Sequence, residues 1–71
     1  MSQTVDARGL SCPQPVLIVM ERMKEMGSGQ IEVIVDNEVS RENVGRAARS
    51  KGWQVEDEKR EGGDYHLLLR R

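Results

Sequence analysis

Both prolines of this 71-residue chain stand two positions apart in Leu10-Ser11-Cys12-Pro13-Gln14-Pro15, and the only cysteine lies beside them. Proline fixes φ and has no backbone N–H, so neither a central strand nor a helix interior runs through this stretch. The first turn of a helix accepts both rings, because its first four N–H groups have no helical acceptor. The stretch therefore reads as a helix start, with Cys12 at the N-cap and Pro13 at the first helical position. A residue before proline avoids the α region, which suits Cys12 as a cap. A second placement makes Ser11 the cap, with Gln14 completing a Ser-x-x-Gln box and Cys12 one step inside. In both, the sulfur sits at the positive end of a helix dipole, which favours thiolate over thiol. Arg8 adds a positive charge if the Gly9 turn folds it back. The competing reading is that Cys12 is a small buried hydrophobe, as most free cysteines are.

The rest of the chain alternates between two periodicities. Thr4-Val5-Asp6 is a short strand that stops at Arg8-Gly9. Val16, Val19, Met20 and Met23 recur at helical spacing until Gly27, a glycine suited to a left-handed C-cap. Residues 31–36 are dominated by β-branched side chains and form a strand. Asp36-Asn37-Glu38 supplies turn and cap chemistry. A second helix is expected from near Ser40, with Glu42 in its first turn and a stripe of Val44, Ala47 and Ala48, closing at Lys51-Gly52. Gly45 is expected to let this helix approach a neighbour closely. Residues 53–60 form a largely charged strand, Gly62-Gly63 a hairpin turn, and residues 64–70 a last strand.

The order β-α-β-α-β-β predicts an α+β fold, a two-layer α/β sandwich in a single domain spanning 1–71. Right-handed crossovers put both helices on one face of a four-stranded mixed sheet. The apolar second and fourth strands take the centre and the charged third an edge, giving the order 1-2-4-3. The expected core is Val16, Val19, Met20, Met23, Ile31, Val33, Val35, Val44, Ala48, Val55, Leu67 and Leu69. Ile34 and Leu68 are expected as neighbours on the uncovered face.

Several classes of function are excluded or left unsupported. One cysteine makes no internal disulfide, no Cys-x-x-Cys redox pair and no multi-thiolate zinc site. No metal and no other cofactor is called for, and Met20, Met23 and Met26 are assigned to packing. With 11 basic against 12 acidic residues and no Phe, neither a cationic surface nor a stacking platform for bases is present, so no direct nucleic-acid binding is expected. The apolar run 16–20 is too short to span a membrane. The first residues carry no signal-peptide pattern, and a lone thiol fits a reducing compartment, so a cytoplasmic location is expected.

The block Asp6-Ala7-Arg8-Gly9-Leu10-Ser11-Cys12-Pro13-Gln14-Pro15 resembles the TusA/SirA-like family of sulfur carriers, whose hallmark is this Cys-Pro-x-Pro at the start of the first helix. Val35-Asp36-Asn37-Glu38 and Arg41-Glu42-Asn43-Val44 resemble the subgroup at the N-terminus of YedF-type selenium-metabolism proteins, which carry a second, DsrE-like domain that these residues do not include. The resemblance covers essentially the whole chain. It implies a thiol at Cys12 that accepts sulfane sulfur as a persulfide from a cysteine desulfurase or rhodanese-like donor and passes it to an acceptor protein. Recipients among family members are tRNA thiolation relays, molybdenum cofactor assembly and sulfur oxidation. Asp6, Arg8, Pro13, Gln14 and Pro15 fall on or between the motif positions as supporting residues. Selenium handling uses the same thiol and differs only in cargo. An alternative from another class is a non-catalytic interaction or regulatory module with a structural cysteine. Its partner would then bind Ile34 and Leu68 on the open face or the Arg41, Arg46 side of the second helix.

Overall fold

The computed structural model describes residues 2–10 and 14–71. The chain runs β1 (Ser2–Asp6), α1 (Gln14–Met26), β2 (Gln30–Val35), α2 (Glu38–Ser50), β3 (Gln54–Glu61) and β4 (Asp64–Arg70). The four strands form one sheet in the order β1-β2-β4-β3, as the sequence predicts. β1 is parallel to β2, and β4 is antiparallel to both β2 and β3. β2 and β3 therefore run the same way. Each parallel step is bridged by a helix, so both helices run against β1 and β2. Their N-termini lie together at the end of the sheet where β1 and β2 finish and β4 begins. This shared end positions the site.

Alternation decides which face is covered. Ile31, Val33 and Val35 of β2 pair with Leu69, Leu67 and Tyr65 of β4, and all but Tyr65 are buried. α1 adds Pro15, Val19 and Met23, and α2 adds Val44 and Ala48. Fully burying each larger aliphatic side chain contributes about 1.5–3 kcal/mol. Val16, Met20 and Val55, expected in the core, are only partly buried against it. Val5, Ala7 and Trp53 belong to the core instead. Trp53, just before β3, and Val55 alternate with the exposed Gln54 and Glu56. The Trp53 backbone N–H donates to Ala48 O at 2.9 Å, tying the start of the strand to the end of α2.

Two local features depart from expectation. α2 begins at Glu38, ahead of Ser40, because Asn37 is its N-cap: the Asn37 Oδ1 accepts the Ser40 N–H at 2.8 Å. Glu38, and not Glu42, is the acidic residue of the first turn. Gly45 is buried, yet a Cβ there would stand 3.7 Å from Val55 Cγ2, an ordinary contact. Close approach therefore does not require glycine at this position.

β3 carries a bulge between Val55 and Asp57. Val55 faces the helices, and strict alternation would send Asp57 and Lys59 the same way. The extra residue reverses the phase, so Glu58 and Arg60 face the helix layer and Asp57 and Lys59 the open side. Glu58 there pairs with Arg41 of α2 at 2.9 Å. Among the described residues Ser40 Oγ is the one buried side-chain polar atom without a hydrogen-bond partner.

Candidate functional site

The connection from β1 to α1 is anchored on both sides of the Cys-Pro stretch. The Ala7 N–H extends the β1–β2 ladder by donating to Ile34 O at 2.8 Å, and Ala7 is buried. Arg8 forks onto Asp6, Nε to Oδ1 at 2.9 Å and Nη2 to Oδ2 at 2.8 Å. Its Nη1 reaches across to Asp64 Oδ2, at the start of β4, at 3.1 Å. Gly9 donates its N–H to Asp36 Oδ2 at 2.7 Å. Its φ of 79° is left-handed, a conformation costing an L side chain about 1–2 kcal/mol. Leu10 packs against the core, and beyond the motif Pro15 is buried in it. A proline so early in α1 forfeits no helical hydrogen bond, and here its ring also fills core space.

The charges follow from these contacts. The Arg8 guanidinium holds the Asp6 carboxyl down at about 2, and Asp6 in turn raises Arg8 above its ordinary value. The Gly9 N–H lowers Asp36. All are solvent-exposed, so their worth lies in fixing geometry more than in stability. Arg8 is matched by two carboxylates, Asp6 and Asp64, and the expectation that it adds charge at the thiol concerns Cys12, outside the described residues. Asp36 is itself steadied by Asn37, whose Nδ2 donates to Asp36 Oδ1 at 3.1 Å. The cap of the second helix thus supports the loop before the first.

Of the residues singled out from sequence, Asp6, Arg8, Gln14 and Pro15 gather at this end of the sheet. Cys12 and Pro13, and the two cap placements at Cys12 and Ser11, lie outside the described residues. In the chain Cys12 comes two positions before Gln14, the first residue of α1. Arg41 points elsewhere, paired with Glu58 at 2.9 Å and Glu38 at 3.6 Å over the Tyr65 ring. Arg46 is exposed on α2. Ile34 and Leu68 sit half-buried on the open face, opposite His66 and Glu32 respectively, so they are diagonal and not direct neighbours. His66 Nδ1 meets Glu32 Oε2 between them at 3.2 Å. A depression of ≈ 310 Å³ is lined by Glu32, His66 and Leu68 and does not reach Ile34. The sequence reading missed Asp36 and Asp64 as parts of the site. The order β1-β2-β4-β3 contains the signal, since it puts the end of β2 and the start of β4 beside the end of β1.

This is a small two-layer domain that holds both flanks of its one thiol, at a strand end and at a helix start. A family model described as Sulfurtransferase TusA matches residues 3–71. The sulfur carrier protein TusA of Allochromatium vinosum is 34% identical over 70 residues, covering 97% of this chain and 92% of that protein. The protein of the same name from Pseudomonas entomophila is 28% identical over 69 residues, covering 96% and 86%. The crystal structure of a SirA-like protein from Desulfitobacterium hafniense superposes with a TM-score of 0.88 at 31% identity, covering 96% of this chain and 95% of that one. The chain belongs to the TusA family of sulfur carriers.

Proposed function

We propose that Cys12 takes up sulfane sulfur from a donor protein as a persulfide and hands it to an acceptor protein. The observation that carries this reading is the anchoring just described: residues 7–10 and 14–15 are held on both flanks of the chain's only thiol, at the start of a helix. In the loading step the Cys12 thiolate attacks the outer sulfur of the donor's persulfide. A new S–S bond forms at Cys12, the donor's S–S bond breaks, and the donor cysteine leaves as thiolate. The proton on the outer sulfur travels with it, and no external oxidant or reductant is consumed. Unloading is the same exchange with the acceptor's thiolate as attacker. The absence of a second thiol in the chain prevents internal discharge as a disulfide. The α1 dipole favours the attacking thiolate.

The donor in this reading is a cysteine desulfurase or a rhodanese-like protein, and the chain works in the reducing cytoplasm, where a lone thiol stays available. No helix among the described residues is long and apolar enough to cross a membrane. The test is intact-protein mass spectrometry of the reduced chain after incubation with a cysteine desulfurase and L-cysteine. The expected result is an added mass of one sulfur atom, removed by reductant and absent in Cys12→Ser. An unmodified wild-type chain, with Cys12 also slow toward a thiol reagent, would reject the carrier role.

A further inference from the structure

The helix layer is polarised along its length. Among the described residues the exposed large hydrophobics are Leu17, Ile18 and Val39, at 57%, 36% and 59%. Leu17 and Ile18 are the fourth and fifth residues of α1, and Val39 is the second of α2. The two helices run parallel and pack side by side, with axes about 10 Å apart, so all three project at the end where β1 finishes and α1 and α2 begin. Helical spacing of three or four places Glu21 beside Leu17 and Ile18, Arg22 also beside Ile18, and Glu42 beside Val39; Arg22 is engaged by Gln3 of β1 and by Glu25. Glu38 directly precedes Val39. Glu21 and Glu42 make no ion pair among the described residues, and Glu38 makes only the long contact with Arg41 at 3.6 Å. The opposite ends of the helices carry the basic residues Lys24, Arg49 and Lys51.

We infer that Leu17, Ile18 and Val39 form the docking surface for the sulfur-donor protein, whose own contact face is apolar at its centre and bordered by Lys and Arg. This rests on the carrier reading and adds to it the place and chemistry of the encounter. An apolar patch supplies affinity where it excludes water, and surrounding unpaired carboxylates select and steer a cationic rim. The arginine side of α2 and the Ile34/Leu68 face lack this combination. Arg41 is already paired, and Ile34 and Leu68 are only half-exposed, with the Glu32–His66 contact between them.

The experiment compares loading of Cys12 from a protein donor and from a small one. A purified cysteine desulfurase with L-cysteine is the first probe, and inorganic polysulfide, from which the thiolate displaces a shorter polysulfide, is the second. Leu17→Ser/Val39→Ser removes the apolar centre, and Glu21→Lys/Glu42→Lys reverses the rim, with thermal unfolding confirming that both variants fold. The serine pair is expected to load from the desulfurase about tenfold more slowly or worse. The lysine pair is expected to load about threefold or more slowly, with a weaker dependence on salt. Both should match the wild type with polysulfide. Wild-type rates from the desulfurase in both variants would overturn the inference. So would equal slowing with both donors, which would place the effect on the thiol itself. A wild-type chain that loads from polysulfide but not from the desulfurase would overturn it for this donor while leaving a competent thiol. A wild-type chain that loads from neither would overturn the carrier reading, and this surface with it.

Discussion

The fold contains the same junction twice, a parallel strand turning into a helix at one end of the sheet, and the two are built differently. From β2 to α2 the chain uses two residues, Asp36 and Asn37, and Asn37 caps the helix itself. From β1 to α1 it uses seven, residues 7–13, and the described part is held by groups from elsewhere, Asp36 on Gly9 and Asp64 on Arg8. The short junction caps its own helix through Asn37 and lends Asp36 to the other loop. In the long one other strands hold Arg8 and Gly9, and the chain's only cysteine follows three positions after Gly9. In the proposed role the reactive residue belongs to the junction that is held from outside.

Three experiments sharpen or break this contrast. The largest effect is expected from Gly9→Val, which forces a β-branched residue to φ 79°. It should cost about 1–2 kcal/mol in urea unfolding and also change the rate of Cys12 alkylation. A stable variant with unchanged alkylation would mean that the Gly9–Asp36 contact does not govern the thiol. Next, Asn37→Ala should cost about 1 kcal/mol by loss of the cap, mostly without altering thiol reactivity. An alkylation change as large as that of Gly9→Val would show the two junctions to be one unit.

The smallest effect is on acidification. The first junction is held by carboxylates and the cap of the second by a neutral amide. Asp6 is lowered from 3.8 to about 2, and Asp36 is lowered too. Their contribution is therefore complete above the ordinary carboxylate value and is lost as pH falls through the lowered ones. Hydrogen exchange between pH 4 and pH 2 should release the Arg8 N–H, which donates to Asp6 Oδ1 at 3.1 Å, and the Gly9 N–H before that of Ser40. Simultaneous release would remove the distinction.

What the sequence disclosed, and what it withheld, divides along the same line. Strand order and the covered face were readable because 31–36 and 64–70 alternate cleanly and the charged strand has only an edge to occupy. The start of α2 was misplaced because Asp36-Asn37-Glu38 are three polar residues in a row, and only side-chain geometry shows which of them caps. Ala7 was missed as core because its burial follows from the bond to Ile34 O, beyond the apparent end of the strand. Within the site, the local motif residues Asp6, Arg8 and Pro15 were legible. Asp36 and Asp64 lie 27 and 56 positions from their partners, and no local pattern announces such contacts.

The extents of the molecule, 29 × 21 × 18 Å, carry a consequence for traffic through the thiol. One partner in an ordinary protein–protein contact covers roughly 800 Å², close to a fifth of the 4468 Å² that this domain exposes. A donor seated on the Cys12 end therefore leaves no room there for a recipient. In the proposed role the carrier works as a turnstile, admitting one partner at a time, and throughput depends on how quickly each departs. Tighter binding to either side, beyond what the exchange needs, would slow the whole line.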